Sequence, residues 1–238
     1  GIITAILILG GLIGWAVVTA GPTEIAKPTN LTYDNGIRIG KNLEAFTATN
    51  KPTTEDVPVI SIYVDYQCPY CAYFENANID QIKGWLDTGL ATLEVRPLSF
   101  LDGRGSPNEY SSRAANATAC VASFSPNNYF DFSKALFINQ PLEGNRGPSN
   151  NQLFNTAKQV GITNESEVES CIKEKSFGKW ILKTTDATFE AGVPEFSPTF
   201  WAEKNGTPAV FVNGQHYKGA IDNPAQFAQF VTGIASGN

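Results

Sequence analysis

VPVISIYV at residues 57–64 and CPYC at residues 68–71 form the stretch that decides the fold. The first run is β-branched and almost wholly apolar, which predicts a strand that is buried on both faces. The second run opens a segment, AYFE at residues 72–75, that has helical character. A C-x-x-C pair at the turn between a strand and a helix is typical of a redox-active dithiol.

The chemistry of this pair follows from its position at the start of a helix. Free backbone N–H groups and the positive end of the helix dipole stabilise a thiolate at Cys68. Pro69 has no N–H group to lose and suits the first helical turn. Cys71 is expected one turn further on, where it can attack a mixed disulfide held on Cys68. The alternatives are an inert pair or half of a zinc site, but zinc usually needs four ligands, and no second C-x-x-C follows. No metal site is therefore predicted.

Composition excludes nucleic acid as a partner and bears on the cellular compartment. The 238 residues include 17 Lys and Arg against 23 Asp and Glu, a net charge of −6, without a basic block.

Besides the close pair, the chain has only Cys120 and Cys171. Outside the cytosol these two predict a structural disulfide, with two buried free thiols or a second redox relay as alternatives. We expect a monomer.

The first 20 residues carry no charge and predict an association with a membrane. Twenty helical residues span roughly 30 Å, which is the thickness of the hydrocarbon core. The alternative is a cleaved signal peptide that ends in VTA at residues 18–20. In both cases the catalytic domain is expected outside the cytoplasm, either anchored to the cell membrane or secreted or periplasmic after cleavage. Residues 21–56 are interpreted as a linker, with a tether over 21–35 and an edge strand at 36–40.

The remaining residues predict an α/β domain that is interrupted by helices. A second strand is expected at 90–98, and a helix between the two strands implies a parallel crossover. Residues 57–106 and 194–238 are interpreted as the two parts of the sheet domain, and 107–193 as a helical insertion. Helices are predicted at 111–122, 129–137, 151–160, 166–173, 177–191 and 224–234, and strands at 209–212 and 215–218 around an Asn213-Gly214 turn.

Two motifs in this arrangement resemble those of the DsbA-type thiol-disulfide oxidoreductases. They are VDYQCPYC followed by AYF, and GTP at residues 206–208 running into AVFVNG. The resemblance covers about residues 57–236 and implies a thioredoxin fold with an inserted helical domain. It also implies that the Thr207–Pro208 peptide bond is cis and packs beside the redox pair. The implied site consists of the catalytic Cys68 and Cys71, supported by Pro69, Tyr70, Thr207 and Pro208.

The resemblance also implies a function. Such a protein introduces disulfides into reduced exported proteins by dithiol–disulfide exchange and needs no bound cofactor. A membrane reoxidase of the DsbB or vitamin K epoxide reductase type would then restore its disulfide, and membrane-anchored members occur in actinobacteria. The alternatives are a disulfide isomerase or reductase of the same fold, or a copper-binding protein without catalytic activity, to which His216 could add a third ligand.

The sequence departs from the pattern of this family at three positions. The type member has a histidine where Tyr70 stands, so this chain lacks a cation that stabilises the thiolate. Many members have an acidic residue where Ile62 stands, and Asp65 or Glu75 could take its place as a buried proton carrier. Thr207 replaces a valine and resembles the isomerase branch. We therefore expect an oxidant that is milder than the type member.

Overall fold

The computed structural model describes residues 24–50, 57–191 and 206–237. The predicted membrane or signal segment at 1–20 lies outside these residues, as do all of residues 194–205, which precede the predicted cis-proline motif. Among the described residues, no helix combines the length and the apolar character needed to cross a membrane.

The described residues form one mixed sheet of six strands in the order β2-β1-β4-β3-β5-β6. β3 and β4 are parallel, and every other neighbouring pair is antiparallel. At the centre, Ile62 of β3 pairs with Val95 of β4 on one side and with Val210 of β5 on the other. The strands are β1 (Ile37–Ile39), β2 (Ala45–Phe46), β3 (Val59–Val64), β4 (Thr92–Pro97), β5 (Ala209–Val212) and β6 (Gln215–His216).

β3 is buried on both faces, as its composition predicts. Its residues alternate between the faces because successive side chains of a strand point in opposite directions. Ile60, Ile62 and Val64 belong to the main hydrophobic core. Tyr63 packs on the opposite face in a smaller cluster with Phe211, and their rings make an edge contact with centroids 6.1 Å apart. The redox motif follows the carboxyl end of this central strand.

The helix that carries the redox motif is α1 (Pro69–Thr88), which connects β3 to β4. Proline occupies its first turn, and Gly89 ends it with φ at 72°, a left-handed conformation that glycine adopts without steric cost. α1 packs against the last helix, α7 (Pro224–Ala235), and Phe74 and Phe227 meet with ring centroids 5.2 Å apart. Both phenylalanines belong to the main hydrophobic core, so α1 and α7 pack on the sheet face that this core covers.

Five α-helices lie between β4 and β5 among the described residues, as the predicted insertion requires. α2 is at their centre and is buried over nearly its whole length, since its many alanines allow neighbouring helices to approach closely. Cys120 of α2 and Cys171 of α5 form a disulfide, with their Cα atoms 5.8 Å apart. The five helices are α2 (Tyr110–Phe124), α3 (Tyr129–Ile138), α4 (Asn150–Gln159), α5 (Glu165–Glu174) and α6 (Gly178–Ala191).

The segment before β3 corrects the prediction of a tether. Pro28 is buried, the Thr29 N–H donates to Ser123 Oγ, and the Asn30 side-chain amide donates to the carbonyl of Ala122, 2.7 Å away. Residues 28–30 therefore pack along the end of α2. β2 forms within the residues that were interpreted as a linker. The hydrogen bonds are made by single polar groups without periodic spacing, and such groups produce no helix or strand pattern in a sequence.

Candidate active site

The two cysteines of the motif lie where the central strand turns into α1. Cys68 is the N-cap residue of α1, and Pro69 is in its first turn. The backbone N–H of Cys71 donates to the carbonyl of Cys68 at 3.1 Å, which places Cys71 at the first turn of the helix. Both side chains are free thiols, with Cys68 6% exposed and Cys71 fully buried. An attacking group can therefore reach only the first cysteine.

The environment of Cys68 favours its thiolate and lowers its pKa to about 6. The largest cause is the hydrogen bond from the Cys71 thiol, while burial opposes the shift. The backbone N–H groups of Cys71 and Tyr70 contribute as dipoles near the sulfur, although the Cys68 side chain does not cap the helix with a full hydrogen bond. Burial raises the pKa of Cys71 well above its usual range, and the hydrogen bond to Cys68 adds to this shift. At neutral pH the pair is thus one thiolate and one thiol.

Thr207 and Pro208 come from a distant part of the chain and lie beside this pair. Their peptide bond is cis, and the carbonyl of Thr207 is 3.2 Å from Cys68 Sγ, where it accepts a hydrogen bond from the thiol form. The Thr207 hydroxyl is buried close to both sulfurs and makes no hydrogen bond of normal geometry within the described residues. The structure thus brings together four of the residues predicted for the site.

Tyr70 points away from the core and is 62% exposed. Its ring makes an edge contact with the exposed Tyr73, with centroids 6.0 Å apart. The side chain therefore supplies an aromatic surface next to Cys68 and no positive charge. The contributions that lower the pKa of Cys68 come instead from neutral groups: first the Cys71 thiol, then the Thr207 hydroxyl, and then the backbone N–H groups at the start of α1.

Asp65 is fully buried and holds the main chain just before Cys68. One carboxylate oxygen accepts from the Gln67 N–H at 2.8 Å and from the Ser111 hydroxyl at 2.7 Å. The other accepts from the Leu101 N–H at 2.9 Å. Burial raises the pKa of Asp65 to about 7, although the hydrogen bonds from these three donors lower it. Asp65 therefore connects the turn to the start of the insertion.

Glu75 is the second buried carboxyl near the dithiol. It lies one turn beyond Cys71 on α1, and burial raises its pKa to about 8. It interacts electrostatically with Tyr66 and Tyr129 and has no hydrogen-bond partner within the residues that the structure describes. Ile62, at the position where many family members have an acid, is fully buried in the main core.

His216 lies in β6, where its ring stacks on Phe211 with centroids 5.1 Å apart. Phe211 belongs to the smaller cluster on one face of the sheet. Cys68 and Cys71 belong to the main core on the opposite face. Within the described ranges, no three His, Cys, Asp or Glu side chains meet as possible metal ligands. The geometry therefore does not bring His216 to the cysteine pair as the copper-binding alternative requires.

Sequence reasoning missed two glutamines at the site. Gln67 immediately precedes Cys68 and is fully buried. Gln140 follows α3, and its side-chain amide donates to the carbonyl of Cys68 at 3.0 Å. Gln67 directly precedes the motif, and this position alone could have marked it as a candidate residue of the site. Gln140 is 72 residues from its partner, and nothing in its local sequence indicates this contact.

Comparison with known proteins identifies the family. Residues 54–232 match the family model Thioredoxin_4, described as thioredoxin. The chain belongs to the thioredoxin family. The match spans three quarters of the sequence, including strands β3 to β6, the insertion and both motifs of the site. A comparison with curated proteins found no match.

Solved structures of thioredoxin-family proteins resemble this chain over most of its length. Oxidised DsbA of Mycobacterium tuberculosis is 27% identical, with a TM-score of 0.66 over 84% of this chain and 93% of that one. The reduced disulfide bond oxidoreductase DsbG of the same organism is 28% identical, with a TM-score of 0.64 over 84% and 86%. BdbD of Bacillus subtilis, 18% identical with a TM-score of 0.63 over 90% and 100%, shares the fold. The predicted DsbA-like resemblance and the thioredoxin fold with an inserted helical domain are confirmed.

Proposed function

We propose that this chain, a DsbA-like protein disulfide oxidoreductase, acts outside the cytoplasm and introduces disulfides into exported proteins. The observation that carries the proposal is the acidity of Cys68, whose pKa is lowered to about 6 beside a protonated Cys71. A stabilised thiolate stabilises the reduced form of the pair, and a stable reduced form makes the disulfide an oxidant.

The magnitude of this effect favours oxidation over reduction. The pKa of Cys68 falls from 9.0 to about 6, which corresponds to about 4 kcal/mol of thiolate stabilisation. At pH 7 an ordinary cysteine is still protonated, so the shift stabilises the reduced pair by only about 1.4 kcal/mol. For a two-electron couple this free energy makes the disulfide more oxidising by about 30 mV than an equal pair with an ordinary cysteine. The family type member reaches a pKa of about 3.5 and is a stronger oxidant. This chain is therefore expected to be the milder one.

The proposed reaction consists of two thiol–disulfide exchanges. A thiolate of the substrate attacks Cys68 Sγ in the Cys68–Cys71 disulfide, and the electron pair of the broken bond passes to Cys71 Sγ. The buried Cys71 then takes up a proton, because its pKa is high. A second thiolate of the substrate attacks the substrate sulfur of the mixed disulfide, and Cys68 leaves as a thiolate. The substrate has lost two electrons, and the protein has gained them.

The remaining elements of the proposal concern partners and location. The substrates are reduced exported proteins, and the electrons pass on to a membrane reoxidase of the DsbB or vitamin K epoxide reductase type. No bound cofactor takes part in either exchange. Residues 1–20 would anchor the catalytic domain outside the cell membrane, with secretion or release into the periplasm after cleavage as the alternative.

The decisive experiment measures the reduction potential by equilibration with glutathione. We expect a value between about −120 mV, the potential of DsbA, and about −270 mV, that of thioredoxin. A parallel assay follows disulfide formation in a reduced, unfolded protein with the wild type and the Cys68→Ser variant, which should be inactive. A potential at or below that of thioredoxin, or no difference between wild type and variant, would replace this function by that of a reductase or a non-catalytic protein.

A further inference from the structure

Two glutamines bind the redox turn to the insertion in a reciprocal manner. The redox turn is defined here as residues 65–68, and the insert loop as residues 139–147, which follow α3. Gln140 of the insert loop donates from Nε2 to the carbonyls of Tyr66 at 3.2 Å and Cys68 at 3.0 Å. Gln67 of the redox turn donates from Nε2 to the carbonyls of Leu142 at 3.1 Å and Asn145 at 2.9 Å. Each amide group thus uses both of its hydrogens on the main chain of the other segment.

We propose that Gln67 and Gln140 are positioning residues that hold the main chain of Cys68 on the helical insertion, and thereby set the reactivity of this cysteine. The inference rests on the proposed function for its biological meaning. Its central test, the reactivity of the Cys68 thiol, does not depend on that function.

The cost of burying Gln67 indicates that its two bonds are needed. The side chain is fully buried, and its Oε1 has no hydrogen-bond partner within the described part of the chain. A buried acceptor without a partner is unfavourable, and an apolar side chain of similar length would fill the same space without this cost. What an apolar side chain cannot do is donate to the carbonyls of the insert loop.

The side chains of the other two residues that precede Cys68 in the redox turn also make hydrogen bonds to segments that follow β4. Asp65 accepts hydrogen bonds from Leu101, between β4 and α2, and from Ser111 at the start of α2. The Tyr66 hydroxyl is 2.9 Å from Ser133 Oγ on α3. The three residues before Cys68 therefore all extend their side chains to segments that follow β4. The insertion, in addition to the sheet, determines where the redox turn lies.

The contact of Gln140 reaches the reactive residue itself. The carbonyl of Cys68 also accepts the N–H groups of Cys71 at 3.1 Å and Ala72 at 3.3 Å, with which α1 begins. Gln140 thus holds the carbonyl group of Cys68, whose peptide group adjoins the Cα atom that carries the reactive side chain. When its donors are lost, this peptide group can rotate, and the sulfur loses its alignment with the Cys71 thiol and with the helix start. A smaller thiolate fraction and slower exchange should follow.

The test compares Gln140→Met and Gln67→Met with the control Gln81→Met. Methionine keeps the length of the side chain and removes its donors. Gln81 is half-buried like Gln140 and also donates twice from Nε2, to Asn78 Oδ1 at 2.7 Å and to the Pro224 carbonyl at 3.0 Å. The bond to Pro224 ties α1 to the start of α7, and the bond to Asn78 lies within α1, so the loss of Gln81 should lower stability alone. The measurements are the free energy of unfolding and the rate of Cys68 alkylation as a function of pH.

We expect Gln140→Met to move the midpoint of the alkylation profile to higher pH. Near pH 5, below both midpoints, alkylation should slow by about fivefold, the factor for the loss of the one hydrogen bond that Gln140 makes to Cys68. Gln67→Met should change the profile in the same direction, and Gln81→Met should leave it unchanged at a similar loss of stability. If Gln67→Met fails to fold, Gln140→Met decides alone. Profiles of folded Gln140→Met and wild type that coincide would overturn the inference. Absence of oxidase activity in the wild type would refute the proposed function and leave this comparison valid.

Discussion

Replacing Cys71 separates the two sources of the acidity of Cys68. In the structure the hydrogen bond from the Cys71 thiol is the largest contribution that lowers the pKa of Cys68, and the start of α1 adds to it. The Cys71→Ala variant removes the donor and keeps the helix. The Cys71→Ser variant keeps a donor at almost the same place, because a hydroxyl replaces the thiol.

The expected shift follows from the strength of such a bond. A hydrogen bond to a charged group contributes about 1.5–3 kcal/mol, and one pKa unit corresponds to about 1.4 kcal/mol. The pKa of Cys68 should therefore rise from about 6 to between about 7 and 8 in the alanine variant. In the serine variant it should stay close to the wild-type value. Burial, which opposes the thiolate, is nearly the same in both.

The assay is the rate of alkylation of Cys68 as a function of pH, followed by mass spectrometry. Cys68 is the only free thiol in both variants, since Cys120 and Cys171 are joined in a disulfide. Equal midpoints near pH 6 in the two variants would show that the helix start alone activates Cys68. A midpoint at the value of an ordinary cysteine in the reduced wild type would refute the whole account of the site.

Three further predictions concern stability. Asp65→Asn should lower the free energy of unfolding by about 1–3 kcal/mol near pH 4, because one of its three donors loses its acceptor. By pH 8 the difference should reverse, because wild-type Asp65, whose pKa is raised from 3.8 to about 7, then carries a buried charge that costs about 4 kcal/mol. Glu75→Gln should match the wild type near pH 4 and exceed it above pH 8 by up to about 5 kcal/mol, since burial raises the pKa of Glu75 from 4.5 to about 8. Replacing Cys120 and Cys171 by serine should lower the melting temperature, with a loss of about 4 kcal/mol for a closed loop of this length, and leave the alkylation profile of Cys68 unchanged.

Chemical denaturation at several pH values tests the two carboxyl groups, and each variant serves as the control for the other. Asp65 has three hydrogen bonds and Glu75 has none within the described residues, so only the first substitution should be costly at low pH. Identical pH profiles for the wild type and Glu75→Gln would contradict the assignment of a buried neutral acid. A changed reactivity of Cys68 in the serine double variant would indicate that the disulfide acts as a redox relay.

Much of this protein could be predicted because its decisive features are local in sequence. The buried strand, the C-x-x-C turn and the first turns of α1 follow one another within residues 57–75, where the spacing of apolar side chains and the chemistry of a helix start are directly visible. The boundaries of the helices of the insertion were predicted to within one or two residues for the same reason. Thr207 and Pro208 were found because their motif resembles one known from the DsbA-like proteins.

The roles of Asp65, Gln67 and Gln140 became visible only in three dimensions. A polar side chain can serve as a cap, a proton carrier or a solvated surface group, and its own sequence neighbourhood does not distinguish these roles. Gln140 meets the carbonyl of Cys68 across 72 residues, and Asp65 meets Ser111 across 46. Hydrogen bonds over such distances leave no periodic trace in the sequence, because they depend on how the insertion packs against the sheet. Periodic burial along the chain therefore specified the elements, and the packing of those elements specified how the reactive cysteine is held.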